Sequence, residues 1–281
     1  MQSGGFPWLT LLILLPLAGA AALFFVKETS VRMVALGVSV ADLLLSLPLW
    51  WLFDGASSRM QFAEDVTWIT SPPIHYHLGL DGISLPLVLM TTVLMPLCVA
   101  ISWRSIETRV SSFMAMLLIM EGAMIGVFAA LDFVLFYVFW EAMLIPMYLL
   151  IGIWGSSNYV RPQGLFAWAF GKTGVGSKEY AAMKLTLYLL LGSAFILVGT
   201  LALYVNAPTP TFSFLELQKV HFDPALQSWV FLAFYVGFGV LAAIFPFHTW
   251  SPDGHASAPT AVSMLHAGVL MKLGAYGVVR L

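Results

Sequence analysis

Glu141 stands in the run Phe-Trp-Glu-Ala-Met-Leu-Ile-Pro-Met-Tyr with no other charge beside it. It follows Asp132 by nine residues, a helical rise of about 13–14 Å, which is near the midplane if the run crosses a bilayer. An ionised side chain at that depth costs about 2.5–3.5 kcal/mol on insertion scales, so such residues face protein or water and mark ion paths. Pro146 has no N–H to give the carbonyl of Ala142, which leaves a free acceptor next to the carboxylate. Burial favours the neutral acid and a cationic partner favours the anion, the opposition that a switchable proton carrier needs. The alternative is a purely structural buried carboxyl.

Lys272 lies twelve residues beyond Thr260, about 18 Å along a helix, where its stem cannot easily reach a membrane surface. Lys184 is only a few residues inside its own apolar run, and for it snorkelling is an equal alternative to a role in transport. Glu121 is mid-span and reads either as a secondary relay site or as a hydrogen-bonded neutral acid; Asp42 is a weaker case of the same kind. His248 and His266 can pass protons between water and Lys272, because imidazoles titrate near neutral pH, or they are satisfied interior histidines. Asp132 is explained without transport, as the N-cap of the run that carries Glu141.

The elements that must hold these residues follow from composition. Of 281 residues, 60% are apolar and 9% are charged, and mean hydropathy is +0.91, a membrane composition. The formal net charge of −2 gives no basic surface for nucleic acid. The single cysteine, Cys98, excludes an intrachain disulfide and a cysteine metal site. Stretches near the roughly 20 apolar residues that a helical span needs occur at 7–26, 31–53, 82–103, 112–130, 132–154, 181–205, 227–247 and 259–280. This predicts an all-α, polytopic bundle of about eight spans. Met1 to Pro7 has no Lys or Arg, so the first span reads as a retained helix rather than a signal peptide.

Lys27, Arg32, Arg104, Arg109, Arg161, Lys172 and Lys178 follow spans 1, 3 and 5, whereas Arg59 and Lys219 follow spans 2 and 6. The positive-inside rule therefore puts the N-terminus outside. The outer loop 54–81 reads as a solvated loop, with a lid or subunit contact as the alternative. His75 and His77 in it lack a third metal ligand. Gly171-Lys172-Thr173 lacks the glycine spacing and the strand of a phosphate loop, so nucleotide binding is not expected. The seventh span reads Val-Gly-Phe-Gly-Val-Leu-Ala-Ala-Ile-Phe-Pro-Phe-His, and Gly237, Gly239 and Pro246 predict an interrupted helix against protein or a water-filled cavity.

Four stretches carry a family resemblance: Gly126-Val-Phe-Ala-Ala-Leu-Asp132, Phe139-Trp-Glu141-Ala-Met-Leu-Ile-Pro146-Met-Tyr148, Phe245-Pro-Phe-His-Thr-Trp-Ser-Pro-Asp253, and Ala258-Pro-Thr-Ala through Gly268-Val-Leu-Met-Lys272 to Arg280. The chain resembles the antiporter-like membrane subunits of respiratory complex I (NADH:quinone oxidoreductase), subunit M above all. The resemblance implies a proton-translocating subunit of a multi-subunit respiratory complex, coupled to quinone reduction elsewhere, with Glu141 and Lys272 on proton-path positions. It implies no redox catalysis and no cofactor or metal in this chain, while the complex would use NADH, FMN, iron–sulfur clusters and a quinone. It also implies a bacterial-type inner membrane, with other membrane subunits and lipid as partners.

The family arrangement of about fourteen helices with two inverted five-helix repeats divides this chain into 1–110, three N-terminal spans, and 111–281, the first repeat. A stop directly after a span predicts the front portion of a longer chain, one that would not pump alone. The family usually has a lysine on the interrupted seventh span as partner of the span-5 glutamate, where this chain has Leu241. Lys184, Lys272 or His248 then substitutes, or this branch pumps differently or not at all. The segment 155–180 is longer than the family norm. The rival readings are a subunit of a multi-subunit sodium/proton antiporter or of a membrane-bound hydrogenase, and a scaffold that no longer transports.

Overall fold

The computed structural model describes residues 6–157 and 176–280; Arg161, Gly171, Lys172 and Thr173 lie outside them. The described chain is a helical bundle with one small hairpin. Its elements are α1 (Trp8–Ala22), α2 (Glu28–Leu52), β1 (Gln61–Ile69), β2 (Ile74–Leu80), α3 (Ser84–Ser105), α4 (Val110–Ala129), α5 (Phe133–Ala142), α6 (Leu144–Trp154), α7 (Lys178–Asn206), α8 (Phe214–Leu217), α9 (Pro224–Leu241), α10 (Trp250–Ser257), α11 (Thr260–Leu265) and α12 (Met271–Arg280). A π-helical turn, His266–Leu270, joins α11 to α12. Seven helices are long and apolar enough to cross a membrane, with α5 and α6 forming one of them and α11 to α12 another. The first expected span, 7–26, is the shorter helix α1. The chain is an integral, multi-pass membrane protein.

Helix α4 is buried along most of its length, Glu121 included, as a helix surrounded by others must be, and it packs against α1, α2, α3, α5 and α6. Successive connections fall at opposite ends of the bundle. At one end Arg32 donates to the carbonyl of Ile106, Trp154 Nε1 donates to that of Thr108, and the Ser156 amide reaches Ser257 O at 2.8 Å. The other end collects the hairpin, the α4–α5 turn, the segment before α8 and the end of α12. This second end is the one that the positive-inside count expects to face outward, and it is named the outer end on that expectation.

The outer loop proves to be an antiparallel hairpin, with Asp65 opposite His77 and Val66 opposite Tyr76. It is strapped down from both sides. The Glu64 carboxylate accepts from the amides of Leu9 and Thr10 and from the Thr10 hydroxyl. It thereby caps α1, whose own N-cap is a proline, where a negative charge also complements the helix dipole. On the other side Leu131 N–H donates to His77 O at 2.8 Å. Asp132 caps α5 as expected, accepting from Val134 N and Leu135 N, and it also accepts from His75 N. Burial pushes the Asp132 carboxyl up, against the pull of these three amides.

The fifth span breaks between Ala142 and Leu144, where Pro146 withdraws the hydrogen bond that would bridge them. The expected seventh span, 227–247, ends earlier, at Leu241. Beyond it Ala243 takes a left-handed φ of 54°, a strained conformation for a residue with a Cβ. The buried indole of Trp250 donates to Val240 O at 2.8 Å, a carbonyl whose helical donor the break removes and which otherwise accepts only the longer bond from Ala243 N at 3.2 Å. A close approach holds α9 to α12, because a Cβ on Gly274 would meet Phe238 O at 2.5 Å.

Arg280 at the end of α12 closes the outer face by pairing with Asp81. Burial alone would raise the Asp81 carboxyl, but hydrogen bonds from Ser84 and the Arg280 charge outweigh it and hold the carboxyl below its ordinary 3.8. For an acid depressed in the folded state, the stabilisation is complete above the ordinary value and is lost as pH falls below it. Thermal denaturation from neutrality down to about pH 3 should therefore show the wild type losing its advantage over Asp81→Asn. A gap between the two that stays constant or widens toward acid contradicts this closure.

Candidate functional site

Glu141 sits on the last turn of α5, directly before the break. It lies against Tyr137 one turn earlier, and its Oε1 is buried with no hydrogen-bond partner among the described residues. The ion pairs among those residues are His75–Asp65, Lys184–Asp253 and Arg280–Asp81, and Glu141 is in none of them. Leu241 is buried, on the helix whose Phe238 packs edge-on to Trp140. A hydrocarbon side chain thus occupies the position where a lysine was expected.

The other predicted residues have partners of their own. Lys184 Nζ lies 2.7 Å from Asp253 Oδ2, a bridge between α7 and α10. Lys272 points to the surface of the chain and folds back to donate to Ala267 O at 2.7 Å, inside the π-helical turn. His266, on the same turn, is fully buried. Its ring faces His255 and Trp250, its Nε2 contacts Met147 Sδ, and its Nδ1 has no partner. His255 Nδ1 is 2.8 Å from Ser263 Oγ, and Tyr188 Oη is 2.8 Å from Thr249 Oγ1. His248 rests against Phe245, with Nδ1 buried and unpartnered.

Glu121 is fully buried on α4 and meets Asp42 of α2. Among the described residues no hydrogen bond or ion pair links any two of Glu141, Lys272, Lys184, His248, His266 and Glu121. The arrangement is a set of separate polar stations, of which Glu141, His248, His266 and Lys272 lie at or beside breaks or widened turns while Lys184 and Glu121 lie on continuous helices. π-Helical turns and helix breaks recur where side chains must be re-aimed at a functional site. Sequence reading missed Asp253, His255 and Tyr188 as partners; the His-x-x-x-x-Asp-Gly-His spacing before the last span flags neither the Lys184–Asp253 nor the Tyr188–Thr249 pairing, since each joins residues more than sixty positions apart.

The Lys184–Asp253 bridge is only partly shielded, with side-chain exposures of 20% and 37%, so its coupling should be small, about 0.2–1 kcal/mol. A double-mutant cycle on thermal stability with Lys184→Met and Asp253→Asn measures it. Strictly additive losses would mean that the bridge does not hold α10 to α7.

Residues 130–281 match the family model described as NADH:quinone oxidoreductase/Mrp antiporter, TM. The chain is 42% identical over 97% of its length to the NADH-quinone oxidoreductase subunit M of Rhodobacter capsulatus, of which it covers 52%. It is 37% identical over its whole length to the NAD(P)H-quinone oxidoreductase chain 4-3 of a Nostoc species, of which it covers 47%. It thus spans about half the length of the curated relatives it matches. Among solved structures, a chain of respiratory complex I from Thermus thermophilus with bound NADH superposes with a TM-score of 0.79 at 27% identity, over 97% of this chain and 52% of that one. A chain of the Mrp complex from a Dietzia species shares the fold, with a TM-score of 0.76 at 21% identity over 96% of this chain and 27% of that one. From the broken spans and their buried ionisable residues to these likenesses, the chain belongs to the NADH:quinone oxidoreductase/Mrp antiporter transmembrane family.

Proposed function

We propose that this chain is the part of a proton-translocating subunit of an NADH:quinone oxidoreductase that carries Glu141, with quinone reduction taking place elsewhere in the complex. The observation that supports this most is the carboxyl of Glu141, at mid-membrane, beside a proline break and without a cation. Such a group is costly as a fixed anion and inexpensive as a group that takes and gives up a proton. His266, His248, Lys272 and the Lys184–Asp253 bridge are the remaining stations of the path, with Glu121 a secondary one. Water has to bridge the gaps between them. Leu241 supports a version of the switch in which no lysine of the seventh span holds the glutamate, so that the charge opposing Glu141 comes from a moving station or another part of the complex.

The redox cofactors, NADH, FMN, iron–sulfur clusters and quinone, then belong to other subunits, and this chain does no redox chemistry. The partners are other membrane subunits in a bacterial-type inner membrane. The family description also covers antiporter subunits, which makes sodium the chief competing ion.

Glu141→Gln removes the titratable group with almost no change in shape. In the purified complex reconstituted in vesicles, quinone-coupled proton translocation should fall at least about tenfold, with subunit composition unchanged. Translocation equal to the wild type would overturn the assignment of Glu141.

A further inference from the structure

Asp42 of α2 and Glu121 of α4 are each at 0% exposure, on two helices that pack together inside the apolar bundle. Their carboxyls lie close enough to act on one another directly. No other group among the described residues donates a hydrogen bond to any of the four oxygens. Among the described residues no lysine, arginine or histidine acts on either group; the thiol of Cys98 on α3 is a further polar neighbour of Glu121. Asp42 has no part in the proposed Glu141 path, and Glu121 enters it only as a secondary station. A carboxyl that caps a helix end or meets an arginine has an obvious structural purpose, and these two have none.

Two carboxylates facing each other in a dry interior leave two like charges uncompensated, and isolated buried charges are each several kcal/mol unfavourable. Carboxyls that share a site resolve this by keeping a proton, since both cannot ionise at close range. The proton also supplies what the geometry lacks. Four acceptor oxygens cannot bond to one another, whereas one O–H turns the facing pair into a donor and an acceptor. A metal cation would need a larger oxygen cage than these four atoms provide.

We propose that Asp42 and Glu121 form a proton-binding site at the α2–α4 contact, in which one carboxyl donates to the other. The site joins the N-terminal helices to the helices that carry Glu141. It goes beyond the pumping assignment and does not depend on it. The charge-neutral contact is what allows α2 to lie against α4.

Infrared difference spectroscopy of the complex from its native membrane tests this, comparing wild type with Asp42→Asn, Glu121→Gln and the double variant. At neutral pH the wild type should show a deuterium-sensitive carbonyl band of a protonated carboxyl that is lost in the double variant. Because the groups share the proton, each single variant should shift the surviving band rather than leave it in place. The band should also persist when sodium chloride is added, and in Glu141→Gln whether or not that variant pumps. No band at neutral pH, a band that sodium removes, or two independent bands each lost with its own residue would overturn the proposal. The near-isosteric single variants carry the test if the double variant does not assemble.

Discussion

Inside a hydrocarbon layer no water is on hand to satisfy a polar group, so each one must find its partner in the protein or lose its charge. This constraint accounts for most of what the structure does with its polar residues. Where the chain turns at the outer face, Asp132 and Glu64 satisfy helix ends that do not satisfy themselves. Where α9 stops short, the Trp250 indole covers a freed carbonyl. Lys272, with no carboxylate to meet, bends back to a main-chain oxygen. What remains uncompensated among the described residues is then informative: Glu141 Oε1, the Asp42–Glu121 pair, the free nitrogens of His248 and His266, and the Nε atoms of Arg32 and Arg280, whose guanidinium groups bond through their other nitrogens.

Three of these groups, Glu141, His266 and His248, share a setting. Glu141 is next to a break in α5–α6, His266 lies on a π-helical turn, and His248 sits in the non-helical stretch after α9. Broken helices free backbone acceptors at depth and re-aim side chains, at a cost that the close packing elsewhere offsets. The tight contact of Gly274 with α9 and the bond from Tyr276 Oη to Phe128 O keep the neighbouring helices in register. A stiff frame with local interruptions lets titratable groups change partners without the bundle coming apart.

Much of this could be read in the sequence, because span length and apolar composition are local properties. The Asp132 cap and the carbonyl that Pro146 frees depend on neighbours a few residues away and were equally legible, although the break of the fifth span itself was not foreseen. The hairpin was not, although Val66, Thr67, Trp68 and Ile69 run into Ser71-Pro72-Pro73 and then Ile74, a β-prone pair of segments around a turn. Acidic residues and a length suited to a loop obscured it. Side-chain pairing was the least legible part. Lys184 was a candidate partner for Glu141, but the structure gives it Asp253, and nothing in the order of residues says which way each helix is rotated. Asp42 and Glu121 were ranked separately for the same reason; only the packing of α2 on α4 makes them a pair.

Under the proposed function the mobile charge is a proton, carried by acids that are neutral for part of the cycle. The most direct measurement is the ion moved by the wild-type complex in sealed vesicles, with a pH-sensitive dye and radioactive sodium followed together during quinone reduction. The account predicts proton translocation that continues in sodium-free medium, with no coupled entry of sodium. Sodium uptake that tracks turnover, together with loss of transport when sodium is removed, would contradict it.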